Sequence, residues 1–333
     1  MRKYLTIIVF FSLIPLSLWS QQVPLYNQYM FNGFLLNPAL AGSEGYTTYS
    51  LTAREQWIGF ENSPKTYALS YQTRLLRKRF TISRNPDGTT KYKKGRSGRV
   101  GLGGYAFNDR NGLIDRTGLQ FTYAYHIHMG TSRLSFGLSG VAYQFRIDWN
   151  KAGEAQSIFR DPGDPLMGSL NRVLYVPDAN VGVHYTSEQF FTGVSITQLF
   201  ESLLKIGGNG SKAYANYRMK RHYFLTAGTL REIKRTDWEI EPSVLLKGTE
   251  DLFFQFDINL RMIYDKKYWG GISFRTNNAL IGLLGLQVNR LYFGYAFDYA
   301  FNRINQHSFG SHELVVSVKL GDPARRYRWL KRY

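Results

Sequence analysis

Cysteine is absent from all 333 residues of the sequence. This absence excludes disulfide bonds, thiolate metal sites and a lipid-carrying cysteine behind an export signal. Long apolar runs are absent after residue 20, because no later stretch approaches the roughly 18 consecutive apolar residues that a spanning helix needs. Acidic residues are scarce beside basic ones, with 24 Asp and Glu against 42 Lys and Arg, so the chain carries a net charge of +18.

The N-terminus holds the one long apolar run. Arg2 and Lys3 precede an apolar stretch that ends at Trp19, and small and polar residues follow. This order is typical of a secretory signal peptide, so residues 1–20 are predicted to be removed by cleavage near Ser20. A membrane anchor is the alternative, but Pro15 and two serines shorten the apolar core. The protein is therefore expected to be exported.

Strict alternation of apolar and polar residues is the dominant pattern of the chain. A strand has a side-chain period of two, so the stretch LFFQFDINLRMIY, residues 252–264, has one apolar and one polar face. Similar runs at 114–128 and 291–302 are as long as a tilted membrane-spanning strand of roughly 9–11 residues, whereas strands of soluble domains average about 5–6. In residues 252–264 the apolar face is Phe254, Phe256, Ile258, Leu260 and Met262, and the polar face is Gln255, Asp257, Asn259 and Arg261.

The composition also fits an outer-membrane barrel better than a soluble sandwich. Aromatic residues make up 16% of the chain and glycine contributes 32 residues, as expected for aromatic girdles and tight turns. The mean hydropathy is only −0.31, because every strand of such a barrel is half polar. We therefore predict an all-β fold, a transmembrane antiparallel outer-membrane β-barrel.

Fourteen alternating segments are found, and an even number closes an antiparallel barrel with both termini in the periplasm. The predicted organisation is a signal peptide at 1–20, an N-terminal periplasmic or plug-like lead-in at 21–45, the barrel at 46–320 and a basic C-terminal tail at 321–333. The predicted strands are 46–57, 66–75, 98–108, 114–128, 132–147, 178–186, 189–197, 219–231, 236–247, 251–263, 267–276, 279–288, 291–302 and 311–320.

Positive charge is concentrated in two segments that this topology places in the periplasm. Residues 74–99 hold ten basic residues and one acid, and the tail 321–333 holds five basic residues and one acid. Their core, 76–97, is predicted to be a long connection, unlike the tight turns elsewhere on that side. An anionic periplasmic partner, such as lipid headgroups, peptidoglycan or an acidic protein, fits both segments, and a solvated loop is the alternative. Export argues against nucleic acid as the partner.

No catalytic, cofactor or metal site is expected. His126 and His128 share one strand face without a third ligand nearby, so hydrogen bonding in a polar lumen is favoured over metal binding. Ser311 and His312 are adjacent in a strand and must point to opposite faces. Inward-facing charges of both signs predict a network of ion pairs across the lumen, formed by Arg54, Arg74, Arg261, Lys319, Glu239, Glu241, Asp257, Asp298 and Glu313.

The stretches PLYNQYMFNGFLLNPALAGSEGY and LTAREQWIGFENSPKTYALSYQT resemble the opening of the PorP/SprF family of type IX secretion system membrane proteins. The ending, from GGISFR to GSHELVVSVKL, is also similar to the family, so the resemblance covers nearly all of the mature chain. The motif positions are Gln28, Tyr29, Asn32, Asn37, Pro38, Ala39, Ala41, Gly42, Arg54, Gln56, Trp57, Pro64, Thr66, Gly310, Ser311, His312 and Glu313.

The resemblance implies an accessory outer-membrane barrel of the secretion and gliding apparatus of Bacteroidota. Such a barrel binds the C-terminal region of a large secreted adhesin or other cargo and supports its secretion or surface attachment. Its partners are that cargo and other type IX secretion or gliding components. A porin-like nutrient or ion channel is the alternative function.

Two long connections, 148–177 and 198–218, are predicted to lie outside the cell and to contact cargo; the alternative is that they simply cap the barrel. They combine turn-forming residues with apolar side chains suited to a protein ligand. The stretch FESLLKI, residues 200–206, also has a short helical period. The proposed contact residues are Trp149, Phe159, Leu203, Leu204 and Ile206. The segment NPALAG, residues 37–42, is expected to be either a rigid lead-in against the barrel or a simple turn.

Overall fold

The structure is a computed structural model. It describes residues 26–84, 90–147, 173–201, 203–206, 215–251, 253–276, 279–301 and 306–321, without the side chains of 76–84, 90–97, 203–206 and 215–218. Two short 3-10 helices, Gly33–Leu35 and Pro38–Leu40, precede the first strand. None of the helices in these ranges is long and apolar enough to cross a membrane.

Fourteen antiparallel strands form a closed barrel, as predicted. The barrel strands are β1–β7, β10 and β12–β17, and β1 pairs with β17 to close the ring while β10 pairs with both β7 and β12. Strands β8 and β9 form a separate hairpin, and β11 is a two-residue strand beside β12. The strands are β1 Thr47–Glu55, β2 Lys65–Arg84, β3 Thr90–Asn111, β4 Ile114–Met129, β5 Ser132–Ile147, β6 Leu174–Thr186, β7 Phe190–Thr197, β8 Leu203–Ile206, β9 Ala215–Arg218, β10 His222–Thr229, β11 Arg231–Glu232, β12 Trp238–Thr249, β13 Phe254–Tyr264, β14 Tyr268–Arg275, β15 Ala279–Val288, β16 Leu291–Ala300 and β17 Ser311–Leu320.

The two faces of each strand meet different surroundings. In β13 the apolar side chains from Phe254 to Met262 are 37% to 57% exposed, whereas the polar side chains from Gln255 to Arg261 are at most 8% exposed. An apolar outer surface over a buried polar interior is stable only where lipid is the solvent outside. The alternation in the sequence therefore identified the lipid face correctly.

The barrel has two unlike ends. At one end, here named the turn end, β4 and β5 are joined at 130–131, β13 and β14 at 265–267, and β15 and β16 at 289–290. At the other end, named the loop end, the connections include 56–64, 148–173, 198–221 and 301–310. This arrangement matches the predicted distribution of short and long connections.

The basic connection predicted at 76–97 is instead mostly strand. After a bulge between Leu75 and Arg77, β2 and β3 stay paired as far as Arg84 and Thr90, so they form a hairpin beyond the turn end. Eight further residue pairs at about 3.3 Å each extend this hairpin by roughly 25 Å. The prediction was wrong because lysine is depleted in strands, and pairing of the neighbouring backbones overrides that preference.

Two further sequence interpretations are corrected at the loop end. The stretch 200–206 was given a helical period, but Leu203–Ile206 is a strand, β8, paired with Ala215–Arg218. A stretch as short as 203–206 carries no reliable period, so hairpin pairing decides its structure. In addition, β6 begins at Leu174 rather than at residue 178, because its first four residues continue the pairing with β5.

Candidate functional site in the barrel lumen

Residues 26–45, here named the plug, lie inside the barrel, and every one of them is buried or half-buried. They cross the lumen and contact the inward faces of strands on all sides of the barrel. The two 3-10 turns satisfy only part of the plug backbone, so side chains of the wall bind many of its remaining amide and carbonyl groups. The barrel wall thus binds the plug through hydrogen bonds to its backbone, as a protein binds a buried peptide.

The first turn of the plug is held by one carboxylate. Glu313 accepts the backbone amide of Asn27 at 2.7 Å and that of Gln28 at 2.9 Å, each with a different carboxylate oxygen. Two amides on one charged acceptor form strong charge-assisted bonds. The neighbouring strand β16 leaves room for this turn, because a Cβ atom on Gly294 would lie 2.1 Å from the amide oxygen of Gln28.

Glu313 also begins a chain of alternating buried charges. Arg54 bonds Glu313 at 3.2 Å and Asp298 at 3.3 Å, and Arg275 joins Asp298 at 3.4 Å to Asp257 at 2.8 Å. Arg275 further donates to the side chain of Asn27 in the plug at 3.1 Å. The predicted lumenal network is therefore present, and it binds the plug as well as the wall.

Arg275 is the member of this network that the sequence prediction omitted. Ile272 and Phe274 point outward in β14, so strict alternation already placed Arg275 inside. All nine residues predicted to face inward are buried, and Arg261 pairs with Glu241 at 2.9 Å while Lys319 pairs with Glu44 of the plug at 2.9 Å.

Asn37 opens the NPALAG segment and fastens it to the wall. Its side-chain oxygen accepts the amide of Ala39 at 2.9 Å, which caps the second 3-10 turn. Its side-chain nitrogen donates to the carbonyls of Val183 at 3.1 Å and Val194 at 3.3 Å. One side chain therefore joins the plug to β6 and β7.

Glycines of the wall bring the plug backbone into direct contact with the strands. A Cβ atom on Gly137 would lie 2.2 Å from the amide nitrogen of Ala39, and one on Gly101 would lie 1.9 Å from the carbonyl oxygen of Ala41. The interpretation of the sequence attributed the many glycines to tight turns. At these lumenal positions the structure shows another reason, which is the close approach of a second backbone.

The end of the NPALAG segment is held by buried cations. Gly42, at a φ of +64°, accepts a hydrogen bond from Arg74 at 2.9 Å, and its amide donates to Gln72 at 3.1 Å. Arg74 and Arg133 both donate to the carbonyl of Ser43. Arg74 was counted with the basic periplasmic segment as well as with the lumenal charges, and its burial assigns it to the lumen.

His126 is a structural residue of this contact. Its Nε2 lies 3.0 Å from the carbonyl oxygen of Ala41, which can only accept, so this nitrogen carries the proton. Its Nδ1 then accepts from the hydroxyl of Ser135 at 2.8 Å. Among the described residues no group of three or more potential ligands could hold a metal ion, and His128 lies on the same face.

Aromatic residues complete the plug contacts. Phe31 stacks on Trp269 with ring centroids 5.4 Å apart, and Tyr29 accepts a hydrogen bond from the amide of Asn259. Tyr26 exchanges a hydroxyl hydrogen bond with Tyr105. Burial raises the pKa of Tyr26 and of Tyr29 well above the usual value of a phenol, so both side chains stay neutral.

The motif residues after the plug meet those of the last strand. The amide of Trp57 donates to the hydroxyl of Ser311 at 3.2 Å, and Gly310, with a φ of +82°, accepts from the amide of Ile58 at 2.9 Å. His312 faces outward and bonds Tyr295 at 2.6 Å, which separates it from Ser311 as the strand geometry predicted. Two more motif residues lie just before β2 and at its start: the carbonyl of Pro64 accepts the amide of Gln56, and Thr66 bonds Asp109. The motif residue Asn32 lies in the plug and bonds Ser70 of β2.

The residues proposed to contact cargo are not brought together by the described part of the structure. Trp149 and Phe159 lie outside the described residues, and so does the tail after Gly321. Leu203, Leu204 and Ile206 lie in β8, whose backbone alone is described. Their role as contact residues stays a prediction.

The fold and the lumen define an outer-membrane β-barrel whose interior is occupied by its own N-terminal segment. A model of the type IX secretion system membrane proteins PorP/SprF matches residues 19–318, nearly the whole chain. The chain belongs to this family, as the sequence resemblance indicated. The family places it among the secretion membrane proteins of the outer membrane.

Solved structures with a similar arrangement are also outer-membrane barrels. Omp33 of Acinetobacter baumannii is 8% identical at a TM-score of 0.44, covering 83% of this chain and 100% of its own. The CymD monoaromatic hydrocarbon channel is 12% identical at a TM-score of 0.46, covering 86% of this chain and 91% of its own. The toluene transporter TodX of P. putida is 9% identical at a TM-score of 0.38, covering 86% and 93%. No curated relative matches the sequence.

Proposed function

We propose that this barrel is an accessory component of type IX secretion that binds the C-terminal region of a secreted adhesin or other cargo. In this role it supports secretion of the cargo or its attachment at the cell surface, together with other secretion or gliding components. It carries out no catalysis. The turn end faces the periplasm, the loop end faces outward, and residues 1–20 are removed on export.

The plug is the single observation that carries this proposal beyond family membership. A general diffusion pore needs a wet channel, whereas here twenty residues cross the lumen and bind buried charges such as Glu313 and Arg74. A plug fixed by so many bonds favours a rigid scaffold that presents its loop end to a partner. It argues against the alternative of an open nutrient or ion channel.

The basic segments fit the same proposal at the other end. The hairpin of β2 and β3 extends beyond the turn end, and residues 74–99 hold ten basic residues. We infer that the hairpin and the tail 321–333 contact an anionic periplasmic partner, since long-range attraction between opposite charges favours such an encounter. Arg74 is excluded from this contact by its burial.

The decisive experiment compares surface proteins of intact cells with and without the gene. Surface biotinylation is expected to show loss of a subset of exported proteins in the deletion strain, with their accumulation inside, and recovery on complementation. Replacing the β8 and β9 hairpin, residues 203–218, by a short Gly-Ser linker should give the same loss while the barrel stays inserted and heat-modifiable.

Conductance separates the two functions. The purified wild-type barrel is expected to be nearly silent in planar bilayers, because the plug occupies the lumen. Large steady pores in the wild-type protein, together with an unchanged surface proteome in the deletion strain, would instead establish the channel function.

A further inference from the structure

A cavity of about 100 Å³ lies in the loop-end half of the lumen. Its floor is part of the plug, namely Tyr26, Leu35 and Leu36, and its walls are the inward faces of β3 to β7 together with Phe224 of β10. The wall residues come from the ends of these strands nearest the loop end, as the position of Thr197 at the end of β7 illustrates. The cavity is therefore on the side that we assign to the cell exterior.

One wall of the cavity is aromatic. Tyr105 stacks on Phe107 with ring centroids 5.2 Å apart, and Phe107 lies 6.3 Å from Tyr143. Val141 packs beside them. Faces of aromatic rings attract cations, and their area also suits the apolar stem of a long side chain.

Asp178 brings a carboxylate to the same cavity. The residue is only 4% exposed, and its Oδ1 accepts the amides of Ala179 at 2.7 Å and Phe200 at 3.2 Å. Its other oxygen, Oδ2, is buried and has no hydrogen-bond partner among the residues that the structure describes. The same holds for the hydroxyl of Thr197, another residue of the cavity wall.

Two cations near this carboxylate lie in the described part of the chain, and both already have partners. Arg116 also lines the cavity, and it is paired with Asp109 through two of its nitrogens. Arg221 lies close enough to Asp178 to act on it electrostatically, but it pairs with Glu201 at 2.7 Å and with Glu250 at 3.0 Å. No described residue bonds the Oδ2 atom, so within the part of the chain that the structure describes it is left as an acceptor.

We propose that this cavity binds one basic side chain, lysine or arginine, from the C-terminal region of the cargo. The charged head meets Oδ2 of Asp178, and the apolar stem lies against Tyr105, Phe107 and Tyr143. A buried acceptor without a partner is costly, and a cation removes that cost on binding. An acidic or purely apolar side chain leaves the carboxylate unpaired, so the cavity selects against both. This inference rests on the proposed function.

The cysteine-free chain allows a direct test of the cavity without any cargo. Val141→Cys places one thiol in the cavity wall of the folded barrel in micelles. Its reaction rates are measured with a methanethiosulfonate bearing an ethylammonium group and with one bearing an ethylsulfonate group. Each rate is divided by the rate of the same reagent with 2-mercaptoethanol, a free thiol. After this correction the cationic reagent is expected to react about tenfold faster than the anionic one, because the nearby carboxylate attracts it.

Two matched variants identify the source of that preference. Asp178→Asn keeps the acceptor for the amides of Ala179 and Phe200 and removes the charge, so the preference should disappear. Asp115→Asn removes a loop-end carboxylate that is already paired with Arg146 at 3.2 Å, so the preference should remain. No reaction of the thiol with either reagent, or an equal preference with and without the Asp178 charge, overturns the cavity assignment.

The link to cargo is tested separately in cells. Asp178→Asn should lower surface display of the cargo severalfold, whereas Asp115→Asn should leave it at the wild-type level. If deletion of the whole gene leaves cargo display unchanged, the proposed function is wrong. The thiol reaction rates then still test whether the cavity attracts a cation. If deletion abolishes display and Asp178→Asn does not change it, the assignment of a cargo side chain to the cavity is wrong.

Discussion

Arg54 and Glu313 stand directly opposite each other where the first strand pairs with the last, and their side chains are joined at 3.2 Å inside the lumen. The same carboxylate binds the amides of Asn27 and Gln28. One acid therefore takes part both in the closing seam of the barrel and in the anchoring of the plug. A buried pair of this kind is costly to break, because removal of one partner leaves the other charge unpaired.

Glu313→Gln is expected to destabilise the barrel by about 3–5 kcal/mol, because Arg54 loses a buried partner and the plug amides lose a charged acceptor. The measurement is the midpoint of unfolding in micelles, followed by the heat-modifiable shift on gels. Glu188→Gln, at an exposed position in the turn 187–189, serves as the control and should change the free energy of unfolding by less than about 0.5 kcal/mol. Equal midpoints for both variants would contradict the role of Glu313.

Two glycines of β5 separate contact with the plug from strand propensity. Gly137→Ala places a methyl group 2.2 Å from the plug backbone, whereas Gly140→Ala meets nothing within 4 Å. Overpacking predicts a loss of about 1–3 kcal/mol for the first variant. The second variant should leave the free energy of unfolding unchanged or raise it by up to about 1 kcal/mol, since alanine reduces the conformational freedom of the unfolded chain.

The same pair tests whether the plug closes the lumen. In planar bilayers, Gly137→Ala should raise the conductance above that of the wild-type barrel because the plug is displaced from the wall. Gly140→Ala should conduct as the wild type does. If both variants are equally stable and equally silent, the plug does not rest against Gly137.

Asn37 is predicted to tolerate alanine better than aspartate. Aspartate keeps the acceptor for the amide of Ala39 but brings a carboxylate oxygen against the carbonyls of Val183 and Val194, which the amide now binds. We expect Asn37→Asp to cost about 2–4 kcal/mol and Asn37→Ala about 1–2 kcal/mol. Thermal unfolding of the two variants beside Asn289→Asp, a change in an exposed turn, gives the ranking. A smaller loss for aspartate than for alanine would be incompatible with the two donated bonds.

Single cysteines can establish which end of the barrel faces the periplasm. Ser97→Cys in the basic hairpin and Lys234→Cys near β11 lie toward the turn end and should resist an impermeant thiol reagent on intact cells. Glu61→Cys in the loop-end connection 56–64 should react. After the outer membrane is permeabilised, all three should react to a similar extent. Labelling of the Ser97→Cys variant on intact cells would show that the turn end faces the cell exterior instead.

Much of the fold could be predicted because lipid imposes a simple rule on sequence. A strand between lipid and a polar lumen must alternate, and Phe254 and Asp257 in β13 obey that rule through their opposite burial. The inward direction of Arg54, Asp298 and Glu313 followed from the same alternation. Where the chain leaves the membrane the rule no longer applies, which is why the β2 and β3 hairpin and β8 were misread.

The site was less accessible to sequence reasoning than the fold. The motif residues Asn37, Gly42 and Glu313 could be singled out, yet nothing in their spacing placed Glu313 on the amides of Asn27 and Gln28, some 285 positions away. The same is true of Gly137, whose lack of a side chain is read in sequence as a weak strand residue. Contacts between distant segments depend on how the ring of strands closes.

The sequence by itself determined the lipid and lumen faces of the barrel strands, the number of barrel strands and the membership of the family, because period-two alternation and local motifs are properties of neighbouring residues. Only the tertiary structure decided that the N-terminal segment crosses the lumen and that Arg275 completes the charge chain to Asp257. It also decided that Oδ2 of Asp178 lies in a cavity without a hydrogen-bond partner among the described residues. Those features join residues far apart in the chain, and their energies depend on burial and on distances of about 3 Å that no local pattern encodes.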